Sequence, residues 1–259
     1  MTSATQTIAP PSRLLQFLEL RAGTEAALTA LAWPWLQFTP RGDGHSVLVL
    51  PGLVASDTST VPLRAFLQSR GYDVHGWGQG RNFGPRDGVV EGILRQVDEL
   101  HAQSGRKISV IGWSLGGVYA RMLARERPAA VRSIITLGSP LGGHPHATNA
   151  WKLYEFVSGR KADDATQWSR AEQTHSVPST SIWSRTDGVV AWQVSQQPED
   201  GNAENIRVYA SHLGIGCNPS TFYALADRLA QPEGEWKPFA APALLKPWFP
   251  ATGTAGTAA

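Results

Sequence analysis

Short apolar runs alternate with stretches of helical spacing through the middle of the chain. Residues 47–50, 108–111 and 131–137 are nearly continuous runs of apolar or β-branched residues, which is typical of strands buried on both faces of a parallel sheet. Residues 61–70 and 89–103 lie between these runs and carry apolar residues at helical intervals,. This alternation predicts an α/β fold, with a mostly parallel sheet and helices on both faces.

The rest of the pattern divides the chain into segments. Residues 1–11 are small and polar and predict a disordered leader,. We predict that residues 12–230 form one domain that begins with a helical segment. Within it the alternation stops at residues 144–177, which predict a small lid insertion with two short helices above the strand ends. Residues 231–259 form a C-terminal tail.

The two ends carry apolar groups whose role the sequence leaves open. A first helix capped by Ser12 places Leu14, Leu15 and Leu18 on one face. We predict that this face packs against the sheet, and contact with lipid or a partner is the alternative. In the tail, residues 243–249 either pack back on the domain or mediate an oligomeric or surface contact. The oligomeric state therefore stays open.

Composition narrows the class of protein. The 259 residues carry a formal net charge of +2 with no long basic run, which gives no reason to expect a nucleic-acid partner. The single Cys217 excludes an intramolecular disulfide,. No export signal or membrane-spanning run is evident, so we predict a cytoplasmic protein. No metal-ligand cluster occurs, and the Gly-rich residues 76–85 fail as a dinucleotide fingerprint, so we predict no cofactor and no metal.

The motif with the clearest chemistry follows the strand at residues 108–111. Ser114 stands in a Gly-x-Ser-x-Gly sequence between Gly112 and Gly116, immediately before a helical segment. A strand, a sharp turn and a helix around this sequence are typical of a nucleophile elbow, in which the turn exposes the serine hydroxyl. The alternative is an ordinary strand-loop-helix connection.

A serine nucleophile needs a base and a group that orients the base. Residues 180–190 predict a strand that ends in an acidic turn at Asp187, and His212 follows a predicted strand at residues 206–210. Both therefore fall on the same edge of the sheet as Ser114, in the chain order expected of a Ser-Asp-His triad. Rival residues lie in polar stretches or in the insertion, namely Asp163, Asp164, Asp200, His144, His146 and His175.

Further residues are candidates for the oxyanion hole and for substrate contact. The pair Pro51-Gly52 directly follows the first strand, so the backbone amides of Leu53 and Leu115 are candidates for the oxyanion hole. A simple strand-ending turn is the alternative at Leu53. Aromatic residues near the predicted site mouth are candidates for substrate contact, although packing is an equal alternative: Trp77, Phe83, Trp113 and Trp151,.

Together these segments resemble the α/β-hydrolase family, in particular its bacterial lipase and carboxylesterase branch. The resemblance covers roughly residues 46–230. It implies an α/β-hydrolase fold and a serine hydrolase that cleaves carboxylic esters of short to medium acyl chains through an acyl-enzyme, with activity rising with pH around a midpoint of about 6 to 7. Thioesterase, acyltransferase or amidase activity on the same triad, or a non-catalytic binding protein of the same fold, remain alternatives.

Overall fold

Six strands form the centre of the structure, a computed structural model that describes residues 8–142, 146–162 and 176–251. They are β1 (Ser46–Leu50), β2 (Asp73–Gly76), β3 (Ile108–Trp113), β4 (Val131–Leu137), β5 (Ser179–Trp183) and β6 (Ala203–Arg207). These strands make one sheet in the order β2-β1-β3-β4-β5-β6, and each neighbouring pair is parallel. The predicted α/β fold with a parallel sheet is therefore confirmed.

Strand β1 shows how the sequence pattern becomes two apolar cores. Every residue of this strand is buried. Val47 and Val49 join the cluster on one face of the sheet, whereas Leu48 and Leu50 join the cluster on the other. Because side chains alternate between the faces of a strand, a continuous apolar run serves both cores at once.

Helices cover both faces, as the alternation predicts. They are α1 (Arg13–Phe17), α2 (Ala22–Leu36), α3 (Val61–Ser69), α4 (Val89–Ser104), α5 (Leu115–Glu126), α6 (Trp151–Ser158) and α7 (Pro219–Leu229). Phe66 of α3 stacks on Phe222 of α7 in one core. Ile93 of α4 and Leu123 of α5 are buried in the other core. Each such side chain contributes roughly 1.5–3 kcal/mol by leaving water.

The N-terminal helix differs from the prediction in the side chains that it buries. Ser12 caps α1 by accepting a hydrogen bond from the Leu15 amide, as predicted. Leu14 and Leu18, however, are exposed, so the prediction that their face packs on the sheet is wrong. The buried residue of this region is Glu19. Its carboxylate accepts several backbone hydrogen bonds, which offset the cost of burial.

One strand departs from its predicted boundaries, and the insertion is described only in part. Strand β6 lies three residues earlier than predicted and ends at Arg207, so a loop of four residues precedes His212. In the insertion, the structure describes the single helix α6. Residues 143–145 and 163–175, including the rival candidates His144, Asp163, Asp164 and His175, lie outside the described residues.

The described part of the C-terminal tail packs in part on the domain. The rings of Phe239 and Phe249 contact each other and Tyr223 of α7, and the Phe239 amide donates a hydrogen bond to Glu204 of β6. Leu244 stays exposed. Residues 1–7 and 252–259 lie outside the described residues. Across the described helices, none combines the length and the apolar character that a membrane crossing requires.

Candidate active site

Ser114 occupies the turn between β3 and α5. Its backbone angles are φ 53° and ψ −118°, a left-handed conformation that costs an ordinary residue of order 1–3 kcal/mol. Two hydrogen bonds hold this conformation: the Ser114 amide donates to the Leu137 carbonyl at 2.8 Å, and the Gly117 amide donates to the Ser114 carbonyl at 3.0 Å. Strained backbone at a serine between a strand and a helix is the geometry of a nucleophile elbow.

The glycines around Ser114 are required because the backbones cross too closely for a side chain. A Cβ atom on Gly112 would lie 2.3 Å from the Gly116 carbonyl oxygen, and one on Gly116 would lie 2.3 Å from that of Leu50. A Cβ atom on Gly117 would lie 2.0 Å from the Ser139 hydroxyl. The Gly-x-Ser-x-Gly-Gly sequence therefore packs α5 directly against the ends of β1 and β3.

Asp187 follows β5, and its carboxylate is fixed on both oxygens. The residue is 3 % exposed. Oδ1 accepts the backbone amides of Val189 at 2.8 Å and Val190 at 2.7 Å, and Oδ2 lies 2.8 Å from His212 Nδ1. Because an ionised carboxylate only accepts hydrogen bonds, Nδ1 carries the proton and Nε2 is free to act as a base.

His212 follows β6 and is 4 % exposed. Trp113 Nε1 donates to its carbonyl oxygen at 3.1 Å, and its own amide donates to Glu19 Oε1 at 2.9 Å. Burial lowers the pKa of His212, but the charge and hydrogen bond of Asp187, with a contribution from the charge of Glu19, outweigh burial and raise the pKa above its ordinary value,.

Gly138 brings the histidine and the aspartate beside Ser114. It follows β4, whose last residue, Leu137, pairs with Trp113 immediately before Ser114. A Cβ atom built on Gly138 would lie 3.0 Å from Asp187 Oδ2 and 3.2 Å from His212 Nδ1. The acid-histidine pair thus lies against the strand next to the serine.

The serine and the histidine are not yet directly bonded. Within residues 8–142 and 176–251, no hydrogen bond joins the Ser114 hydroxyl to the His212 ring. Catalytic hydrogen bonds are often long in unliganded enzymes and tighten when substrate binds. The structure therefore brings the three predicted residues to one edge of the sheet and forms one of the two contacts of a triad.

Both predicted oxyanion amides lie beside the serine. A Cβ atom on Gly52 would lie 3.2 Å from Ser114 Cβ, which places the loop that carries Leu53 against the elbow. Leu115 is the first residue of α5, where backbone amides lack helical partners. Neither the Leu53 amide nor the Leu115 amide donates a hydrogen bond within the described part of the chain. Two unpaired amides close to one serine are suited to bind a developing oxyanion.

Asn82 holds the Leu53 loop in place and was not identified from the sequence. Its side-chain amide donates to the Pro51 carbonyl at 2.8 Å, its backbone carbonyl accepts from the Val54 amide at 2.7 Å, and its own amide donates to the Ala55 carbonyl at 2.8 Å. Val54 has φ 55°, so the loop is strained at the residue after Leu53. Asn82 lies in the Gly-rich residues 76–85, and no motif in that stretch predicts that its side chain supports the Leu53 loop.

The four aromatic candidates for substrate contact have different surroundings. Trp77 is fully buried in the core with Leu48, so we leave it out of the candidate site. Phe83 is half-buried beneath the Arg86 guanidinium. Trp113 packs on the core that contains Val47 and Val49, and its ring nitrogen donates to the His212 carbonyl. Trp151 of α6 makes an edge contact with His146. Contact of these three side chains with a substrate stays a prediction.

The described rivals for the acid and the base of the triad lie elsewhere. Asp200 is exposed before β6, and His146 is exposed beside Trp151. Among the described residues, no group of three or more His, Cys, Asp or Glu side chains has an arrangement suited to a metal ion.

Comparison with known proteins places this geometry in context. The model of the alpha/beta hydrolase family matches residues 26–254. The serine hydrolase BPHL of Mus musculus is 30 % identical over 115 residues, and that of Homo sapiens is 31 % identical over 114 residues. Both alignments span 40 % of this chain and only 39 % of the relative.

Solved structures share the fold at low sequence identity. The lipase B of Aspergillus fumigatus has a TM-score of 0.57 at 17 % identity, covering 73 % of this chain and 52 % of its own. The monoacylglycerol lipase of Paleococcus ferrophilus has a TM-score of 0.56 at 16 % identity, covering 74 % of this chain and 96 % of its own.

Proposed function

The chain belongs to the alpha/beta hydrolase family, and from this premise we propose that it is a serine hydrolase that cleaves carboxylic esters of short to medium acyl chains. The observation that carries the proposal is the bond of 2.8 Å between His212 Nδ1 and Asp187 Oδ2, next to a serine held in an elbow. The names of similar proteins, a serine hydrolase and two lipases, support the same class of reaction.

In the proposed acylation step, Ser114 Oγ attacks the ester carbonyl carbon while His212 Nε2 takes the hydroxyl proton. Asp187 holds the ring and stabilises the imidazolium that forms. The carbonyl oxygen gains a negative charge, which the amides of Leu53 and Leu115 bind. His212 then gives its proton to the departing alcohol, and the acyl group stays on Ser114.

In the proposed deacylation step, His212 takes a proton from water as the water oxygen attacks the acyl carbon. The oxyanion forms again between the same two amides. Its collapse breaks the bond to Ser114 Oγ, which recovers the proton from His212. The products are the acid and the free enzyme, with no external cofactor in the cycle.

The proposal is tested by the hydrolysis of p-nitrophenyl esters from acetate to palmitate. We expect turnover of the shorter esters, with butyrate cleaved faster than palmitate. Ser114→Ala and His212→Ala are expected to lower kcat by about 10³-fold or more. Ser104→Ala is the matched control, because Ser104 is an exposed serine at the last position of α4, before the start of β3, and it should keep wild-type turnover.

Three results would contradict this proposal. Absence of turnover with every ester would favour a non-catalytic binding protein. Turnover of thioesters alone would assign a thioesterase instead, so an acyl-thioester of the same chain length belongs in the panel. Retained activity in Ser114→Ala would remove the serine from the mechanism.

A further inference from the structure

A buried acid from the N-terminal helices lies behind the candidate active site. Glu19 belongs to the 3-10 turn Leu18–Arg21, which joins α1 to α2, and it is 5 % exposed. Its neighbours Leu18 and Leu20 are exposed. A turn that exposes leucines and buries a carboxylate reverses the usual preference, so the carboxylate must gain strong hydrogen bonds inside.

Those bonds go to the two loops that carry the acid and the histidine. Glu19 Oε1 accepts the Gly188 amide at 2.7 Å and the His212 amide at 2.9 Å. Glu19 Oε2 accepts the Leu213 amide at 2.8 Å. Gly188 is the residue after Asp187, so one carboxylate bridges the loop after β5 and the loop after β6. Hydrogen bonds to an ionised acceptor are shorter and about twice as strong as neutral ones.

The backbone of α1 lies against the loop after β5, which carries Asp187 and Gly188. A Cβ atom on Gly188 would lie 2.3 Å from the Leu15 carbonyl oxygen. The Asn149 side chain donates both to the Pro11 carbonyl at 3.0 Å and to the Gly188 carbonyl at 2.8 Å. The family match covers residues 26–254, so Glu19 lies outside the residues that match the family model.

We propose that Glu19 is a positioning residue, whose carboxylate fixes the Asp187 loop and the His212 loop relative to each other so that the ring meets Ser114. This inference rests on the proposed function, since it assigns a role within the same triad. Glu19 touches the backbone of His212 and acts through it, and it is not itself a catalytic residue.

The charge of Glu19 gives this role a measurable signature. Burial lowers the pKa of His212, and the charges of Asp187 and Glu19 together with the Asp187 hydrogen bond raise it. The other charged groups near the loops are Glu25, which accepts the Ser211 amide at 2.7 Å, and Arg21, which donates to the Thr186 carbonyl at 2.7 Å and pairs with Glu25. Among the described residues, removing Glu19 leaves Asp187 as the one carboxylate bonded to His212 and should lower the pKa of the ring.

The test compares Glu19→Gln with Glu25→Gln as the matched control. Both residues are buried acids from the N-terminal segment that bind loop amides, but Glu25 contacts neither His212 nor Gly188. We measure kcat, KM and the pH midpoint of kcat/KM on p-nitrophenyl butyrate, and the pKa of the His212 ring by NMR titration. Thermal unfolding of each variant reports its stability.

We expect Glu19→Gln to lower kcat about tenfold with little change in KM, because a misplaced base weakens the reacting state more than substrate binding. The pH midpoint and the NMR pKa should both fall. In Glu25→Gln both should stay at the wild-type value. A folded Glu19→Gln variant with wild-type kcat and an unchanged His212 pKa would overturn the inference, and equal shifts in the two variants would also overturn it.

Two further results keep the inference distinct from folding and from the proposed function. If Glu19→Gln does not fold, Glu19→Asp carries the test: it keeps the charge but shortens the side chain, so kcat should fall while the pH midpoint stays. Wild-type kcat in Glu19→Asp would overturn the inference. If the wild type cleaves no ester, the proposed function fails, and the NMR pKa in wild type and Glu19→Gln still decides whether Glu19 acts on the ring.

Discussion

Single residues at the candidate site occupy backbone conformations that few side chains tolerate. Ser114 has φ 53° and Gly138 also has φ 53°. Ser114 tolerates this angle because hydrogen bonds on both sides hold it, whereas Gly138 meets a second demand: the acid-histidine pair fills the space where a side chain would stand. The strained backbone at Ser114 and the glycine at position 138 serve the same purpose, which is to bring three strand ends within reach of one another.

Gly138→Ala is expected to damage the site more than the fold. The added methyl group would lie 3.0 Å from Asp187 Oδ2 and 3.2 Å from His212 Nδ1, so it should displace the pair and lower kcat by at least about tenfold. The unfolding free energy should fall by roughly 1 kcal/mol or more from the positive φ. Gly44→Ala is the matched control, because Gly44 has φ 81° and open space around its Cβ position.

Urea unfolding and ester kinetics distinguish the two variants. The control should lose comparable stability and keep wild-type kcat. If Gly138→Ala also kept wild-type kcat, the acid-histidine pair would not need the place that the structure gives it.

The pH dependence of activity follows from the environment of His212. The ring must be neutral to accept the serine proton, so activity is lost as the pH falls through its pKa. Because that pKa is raised, we expect the midpoint of kcat/KM above the ordinary histidine value of about 6.5, in the upper part of the predicted range or beyond it. His75→Gln, which removes a partly exposed histidine in β2, should leave the profile unchanged. A midpoint clearly below about 6.5 would contradict this expectation.

The sequence identifies the candidate catalytic residues that follow the ends of strands, but it does not identify the residues that hold their loops in place. Ser114, Asp187 and His212 follow apolar runs, and motif and chain order distinguish them from other polar residues. Glu19 gives no such signal, because its partner amides are 169 to 194 residues away along the chain. Trp77 shows the opposite limit, since a tryptophan in a Gly-rich stretch has the same sequence context whether it contacts a ligand or the core.

At the scale of elements, hydrogen bonds to one buried side chain and its backbone hold the loop after β1 in place. Pro51, Val54 and Ala55 all bond to Asn82, and the Asn82 side chain also accepts the Gly84 amide at 3.1 Å. The loop that carries the Leu53 amide is therefore tied to a neighbouring segment by one buried residue. A preorganised donor needs no rearrangement when the oxyanion forms.

Asn82→Ala is expected to loosen this loop. Losing buried side-chain hydrogen bonds should lower the unfolding free energy by about 1–3 kcal/mol, and the displaced Leu53 amide should lower kcat about tenfold. Asn202→Ala is the control, because that side chain bonds the Ser176 carbonyl before β5, away from the carboxyl ends of the strands. Thermal melts and kcat should show a loss of both quantities in Asn82→Ala and of stability alone in Asn202→Ala. Equal kcat values in the two variants would contradict the role of Asn82.

Elements with strong periodicity were predictable, and those governed by polar contacts were not. Strand β1 and helix α4 agree with the prediction because apolar burial decides both. Strand β6 begins earlier than predicted, because its pairing with β5 starts at Ala203 and Ser179. The apolar residues Val208 and Ala210, which were predicted to belong to the strand, are buried in the loop after it. Helix α1 was predicted to bury its leucines, but Leu14 and Leu18 are exposed, and the turn after α1 buries Glu19 instead.

On the scale of the whole molecule, the two edges of the sheet carry different polar clusters. At the amino-terminal edge, His45 Nδ1 lies 2.5 Å from Asp43 Oδ1 and His45 Nε2 lies 2.9 Å from Ser109 Oγ. Ser109 is 1 % exposed and bonds Ser133 on the next strand, and the His45 ring is buried beside it, whereas Asp43 is exposed. This cluster ties three strands together at the edge opposite the candidate active site.

This second cluster should make the fold sensitive to mild acid. Burial and the charges of Arg132 and Arg106 lower the pKa of His45, against the opposing effect of Asp43. The unfolded chain therefore binds a proton more readily, so the unfolding free energy falls as the pH drops below about 6.5. The raised pKa of His212 acts in the opposite sense in every variant that retains it, and it cancels in a comparison.

His45→Gln removes this titration and keeps a partner for Ser109. Between about pH 7.5 and about pH 5.5, its unfolding free energy in urea should fall by about 1 kcal/mol less than that of the wild type. Its pH profile of ester hydrolysis should match the wild type, because the two edges are separate. If the unfolding free energy of the two proteins depended on pH in the same way, protonation of His45 would not be the cause of the acid sensitivity.

The central claim is that His212 and Asp187 activate Ser114 as a nucleophile, and covalent labelling tests it most directly. The protein is treated with a fluorophosphonate, and the modified peptide is identified by mass spectrometry. We predict a single adduct on Ser114, formed at least about 10³-fold more slowly in His212→Ala because the hydroxyl then lacks its base. An unlabelled Ser114 in the wild type, or equal labelling rates in the wild type and His212→Ala, would contradict the account.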